Sequence, residues 1–232
     1  MRFILLIPIL QFIGLACIPE GKTGDAAQTS VVFDSTTIRE GEPIDTAQTP
    51  FEGELIQTVT WVDQSGKNTL VLSGKSAYPL NEDLRRAEFH AYAFATPDKL
   101  PHPQWLLQEV VDSCYCDCAV ELAEGSIPIR DVDQDGVAEV FLMYFLNDLC
   151  DVSPMFTRLT VASGKNTYSL EGYTRRFQAP DLPEVKTISP GPTFASAPPA
   201  IQQAAYLFWE DYLEKEQAAF EVVQKELEEN QD

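Results

Sequence analysis

The chain has 232 residues, enough for one sizeable domain or two small ones. It carries 36 acidic side chains against 16 basic ones, a net charge of −20 at pH 7. Such a surface repels phosphate backbones and anionic headgroups. That argues against nucleic acid as a partner and against membrane attachment through basic residues.

The N-terminal stretch MRFILLIPILQFIGLAC places Arg2 ahead of an apolar run from Phe3 to Ile13. This is the layout of a secretory signal, and the run is too short to cross a bilayer, which takes about 20 residues. Gly14-Leu15-Ala16-Cys17 resembles a bacterial lipobox, in which cleavage precedes a cysteine that is then acylated. Gly14 departs from the leucine usual at that place. The expectation is a signal peptide over residues 1–16 and a lipid anchor on Cys17; plain secretion after cleavage near Ala16 is the alternative. Residues 17–50, rich in Gly, Thr, Ser, Gln and Asp, read as a flexible spacer. Within it, VVFDSTTI has the composition of a short strand.

A single β-rich domain is expected over residues 51–229. Leu55 to Val62 alternates and favours a strand through its Val, Thr and Trp content. The turn DQSGKN leads into a second strand, Thr69 to Leu72. Ala87 to Ala95 alternates again, and Trp105 to Val111 is a further apolar run. Ser-Gly-Lys occurs at residues 65–67, 73–75 and 163–165. The middle copy lacks the earlier glycine of a phosphate-binding loop, since Thr69 stands there, and all three read as hairpin turns.

Cys114, Cys116, Cys118 and Cys150 are an even set in a chain expected to be exported. The first three alternate, so an extended chain would put them on one face. The predicted bridge joins Cys118 to Cys150, because Val120 and Leu122 after Cys118 read as an ordered inward face. A four-cysteine zinc or copper site is the alternative, but it lacks the usual CxxC spacing.

The most informative stretch is DVDQDGVAE, residues 131–139. Carboxylates on alternate residues followed by a glycine describe a loop that wraps one hard cation. The expected ligands for Ca²⁺ are the side chains of Asp131, Asp133, Asp135 and Glu139 and the backbone carbonyl of Val137. An EF-hand would need a glutamate at the twelfth position, where Leu142 stands. The flanking VFLMYF reads as a buried strand and not as a helix. DxDxDGxxE between strands resembles the calcium loops of integrin-type β-propeller blades. The alternative is a metal-free acidic hairpin, since Asp-Gly is a favoured turn pair.

VDQSGKNTLVL, from Val62, aligns with VDQDGVAEVFL, from Val132. Each copy sits in a strand–turn–strand setting, which predicts a duplicated four-stranded antiparallel unit, blade-like, over about 55–122 and 126–177. In the first copy only Asp63 survives of the acidic set. One cation is therefore expected, with Asp63 playing no part in holding it. Residues 178–199 are proline-rich and read as a connector. A long C-terminal helix follows over 199–228, with Ile201, Ala205, Phe208, Tyr212, Ala219, Val223 and Leu227 near one stripe. Its first half, with Tyr206, Leu207, Phe208 and Trp209, is expected to pack on the sheet.

His90 and His102 lie in no nucleophile or metalloprotease motif, and no dinucleotide fingerprint occurs. WVDQSGKNTLVL, DVDQDGVAEVFLMY, CDVSP at 150–154 and the late helix with Trp209 together resemble the Bacteroidota lipoproteins described as surface polysaccharide biosynthesis proteins. That resemblance covers about Leu55 to Tyr212 and implies work on cell-surface glycan at the outer membrane, with no catalytic residues to carry over. The expectation is a mainly β, lipid-anchored, non-enzymatic module for a glycan or an envelope protein. An accessory factor or enzyme of surface polysaccharide assembly is the alternative.

Overall fold

The computed structural model describes residues 33–47, 49–96, 102–115, 118–123, 127–148, 155–174 and 188–229. After a 3-10 turn at Ser35–Thr37 comes a two-residue strand, β1 (Arg39–Glu40). A meander follows: β2 (Glu54–Asp63), β3 (Gly66–Pro79), β4 (Arg85–Thr96) and β5 (Trp105–Cys114). These five strands form one antiparallel sheet in the order β1-β2-β3-β4-β5. The chain then crosses to a second antiparallel sheet. Its strands are β6 (Ala119–Leu122), β7 (Ile129–Arg130), β8 (Glu139–Asn147), β9 (Met155–Ser163), β10 (Asn166–Thr174) and β11 (Ser189–Pro190). Their order is β11-β10-β9-β8-β6, with β7 also on β8. The helix α1 (Pro199–Glu229) closes the described chain.

The fold is mainly β, and its sheets close into neither a barrel nor a propeller among the described residues. β8 shows how the layers stack. Its alternate residues Val140, Leu142 and Tyr144 face the first sheet and pack with Val59, Trp61, Leu70, Leu72 and Phe89. Phe141 and Met143 face the other way, where Leu159, Val161 and Leu170 meet Ile201, Ala205 and Trp209 of α1. The unbroken apolar run of VFLMYF is thus a strand covered on both faces. The helix stripe is set by the spacing 201, 205, 209, all fully buried. Leu207, expected to pack, instead projects to solvent, and Tyr206 is off the sheet with its ring edge-on to Phe194, because one helix presents only one stripe to a sheet. Ala219 is exposed as well.

The second half of the expected spacer belongs to the domain. Phe33 and Ile38 pack on the inter-sheet core, β1 pairs with β2, and Ile44 and Phe51 cover Val71, Tyr92 and Phe94 on the outer face of the first sheet. Within VVFDSTTI, which has the composition of a short strand, Ser35–Thr37 form a 3-10 turn instead, and Ile44 is a lone apolar residue in a polar stretch. The expected unit boundary at Leu122 also moves. Ala119–Leu122 pairs with β8, so the crossover between sheets falls after Cys114. The Ser-Gly-Lys triplets at 65–67 and 163–165 lie at hairpin turns, but Ser73–Lys75 lies inside β3. There Gly74 serves close packing: a Cβ on it would come within 2.5 Å of the Glu88 carbonyl oxygen.

The crossover is clasped by a disulfide between Cys114 and Cys118, whose Cα atoms are 5.8 Å apart. The predicted partner of Cys118 is therefore wrong. Alternation on one face holds only for an extended chain, and Cα atoms four residues apart in an extended chain stand well beyond the 5.8 Å found between Cys114 and Cys118. Cys150, Cys116 and Cys17, with the signal segment, lie outside the described residues. No helix among the described residues is long and apolar enough to cross a membrane.

Candidate metal centre

The acidic loop runs from the end of β7 to the start of β8, two strands paired as Arg130 with Glu139. It therefore leaves and re-enters the same ladder, as the sequence predicts. Two residues give the loop its curl: Gln134 and Gly136 have φ of 62° and 88°. A Cβ on Gly136 would lie 3.2 Å from Cβ of Gln64 and 2.7 Å from its Oε1, so a side chain there would displace Gln64 as well as strain the backbone.

Three of the expected ligands come together. Asp131, Asp133 and Glu139 each offer a carboxylate oxygen, and these atoms lie within 4.8 Å of one another. Asp131 also organises the loop, accepting the N–H of Asp135 at 3.1 Å on Oδ1 and that of Gly136 at 3.0 Å on Oδ2. Asp135 is not part of the cluster; its Oδ1 accepts the N–H of Val137 at 2.7 Å. Val137, expected to lend its carbonyl, enters the loop's hydrogen bonding through its N–H.

Glu139 is the deepest member, fully buried at the start of β8. Its two oxygens accept the N–H of Val132 at 2.8 Å and the hydroxyl of Ser163 at 2.9 Å. Burial pushes its carboxyl up to about 7; those two hydrogen bonds oppose the shift, and the charges of Asp133 and Asp135 add to it. Asp133 is also raised, first by burial and then by Asp135. Among the described residues no ion pair to a lysine, arginine or histidine offsets these charges. Oxygen donors of one sign, gathered on a glycine turn, fit a hard divalent cation and suit neither zinc nor copper.

Sequence reasoning missed the neighbour that supports this loop. The turn between β2 and β3 docks directly on it. Asp63, only 2 % exposed, accepts the N–H of Ala138 at 3.1 Å on Oδ2, which also takes the indole N–H of Trp61 at 2.9 Å. Its Oδ1 takes the N–H and hydroxyl of Ser65. Beside it, Gln64 donates its N–H to the carbonyl of Gly136 at 2.8 Å. The two aligned segments, from Val62 and Val132, are thus in contact. The alignment itself was the signal, but a shared motif does not say that its copies touch.

Two other polar clusters lie among the strands. On the outer face of the first sheet, Ser73 pairs with His90 across the strands, and His90 lies 3.4 Å from Glu88. These are the residue types of a hydrolytic triad, but the Ser73 hydroxyl donates to the Glu52 carbonyl at 2.6 Å, and Ser73 and His90 are closed to solvent. Between the sheets, Glu109 of β5 accepts from Arg158 and from the Tyr144 hydroxyl, and Arg158 also faces Glu171 at 3.1 Å. That network ties β5 to β8, β9 and β10. Burial pushes the Tyr144 hydroxyl far above its usual range, which makes it a hydrogen-bond donor and not an acid.

Comparison with protein-family models, with curated proteins and with solved structures gives no match for this chain.

Proposed function

We propose that this chain is a lipid-anchored cell-envelope protein whose β-sandwich is stabilised by one structural Ca²⁺ and which binds a glycan or an envelope protein without acting as an enzyme. The observation that carries the reading is the convergence of Asp131, Asp133 and buried Glu139 at one end of β8. Carboxylates this close repel one another, and a hard cation with oxygen ligands removes the repulsion. Asp131, Asp133 and Glu139 would hold it, with Asp135 and the carbonyl of Val137 as further oxygens of the same loop. The ion's contribution is charge neutralisation, which stiffens the loop and the turn docked on it.

The remaining parts of the reading rest on sequence. The lipobox-like end at Cys17 supports attachment to the outer membrane, and the resemblance to surface polysaccharide lipoproteins supports a partner in that machinery. The two meanders, β2 to β5 and β6 to β10, with aligned turns in contact, support descent from one duplicated four-stranded unit. Calorimetric titration with CaCl₂ tests the central claim. One site with a dissociation constant of about 10⁻⁴–10⁻³ M is expected, lost in Asp133→Ala. A wild-type protein that takes up no calcium at millimolar concentration would overturn it. For the anchor, Cys17→Ser should abolish labelling by a palmitate analogue.

A further inference from the structure

We draw no further inference here: the strongest candidate, the strip of aromatic and charged side chains formed by Phe156 and Arg158 of β9 with Glu171 and Tyr173 of β10, carries nothing because no feature of the structure shows what covers it.

Discussion

The carboxylate of Asp63 accepts the backbone N–H of Ala138, 75 residues further along the chain, at 3.1 Å. One buried side chain thereby fastens the β2–β3 turn of the first sheet to the loop that enters β8 of the second. Sequence analysis gives Asp63 no part in holding the cation; the contact couples Asp63 to the loop without making it a ligand. Asp63→Ala leaves the N–H of Ala138 and the indole N–H of Trp61 buried without an acceptor, each costing about 1–3 kcal/mol. A loss of about 3 kcal/mol in urea unfolding is expected, with Asp63→Asn intermediate because one acceptor oxygen remains. The calcium-dependent rise in melting temperature should shrink in Asp63→Ala, although Asp63 is no ligand. A variant as stable as wild type, with an unchanged calcium increment, would show the contact to be incidental.

How much of this was legible beforehand varies with the kind of signal. The strands β2 and β4 follow from alternation, and β8 from its two-faced apolar run, because strand period and burial are local properties. The start of α1 at Pro199 follows from proline's place in the first turn. Contacts made across the fold were not legible. Nothing in the neighbourhood of Asp63 announces Ala138, and nothing around Cys118 says that its partner is Cys114. VVFDSTTI has the composition of a short strand, but Phe33 and Ile38 pack singly on either side of the 3-10 turn at Ser35–Thr37 and leave no period. In the acidic loop the ligand types were readable, but the inward turn of Glu139 and the outward turn of Asp135 depend on the register of β7 with β8.

The disulfide between Cys114 and Cys118 closes a short loop, so its effect on the unfolded chain is modest, about 2 kcal/mol. Both sulfurs are buried with Ala87 and Val111, which shields the bond from reductants. Peptide mapping without reduction should recover a fragment linking 114 to 118, and Cys118→Ser should lower stability by about that amount. Recovery of Cys118 joined to Cys150 would restore the earlier pairing and refute this one.

Glu88 gives the fold a dependence on acid that is separate from the metal loop. The hydroxyl of Tyr78 donates to its carboxylate, and Lys75 and His90 add further hydrogen bonds. Chiefly through Tyr78, and against the effect of burial, the carboxyl is held down to about 2. A folded value below the unfolded 4.5 means that the stabilisation is complete above pH 4.5 and disappears as the pH falls to about 2. Glu88→Gln should cost about 1 kcal/mol at neutral pH, a modest figure because water screens part of the cluster. It should also flatten the stability profile between pH 4.5 and 2. Identical acid profiles for the two proteins would show that Glu88 does not control this limb.

Glu139 has the opposite sign, and calcium should reverse it. With its carboxyl raised to about 7 by burial, the folded protein keeps a proton that the unfolded chain has shed. In chelator, its contribution to stability is therefore present below pH 4.5 and lost as the pH rises through 7. A bound cation needs the carboxylate, so calcium must displace that proton, and its apparent affinity should rise between pH 6 and 8. At pH 8, 1 mM calcium and a dissociation constant near 10⁻⁴ M, the gain is about 1.4 kcal/mol. For a domain of this size that is a rise in melting temperature of about 3–6 °C. The increment should be smaller at pH 6, and magnesium should do less because it demands a tighter octahedron. Glu139→Gln removes the charge while keeping the shape. It should abolish the calcium increment and, in chelator, also the decline between pH 4.5 and 7. Thermal melts in calcium and in chelator at three pH values decide the matter. Equal melting temperatures in both at pH 8 would mean that the loop folds as an acidic turn without any ion.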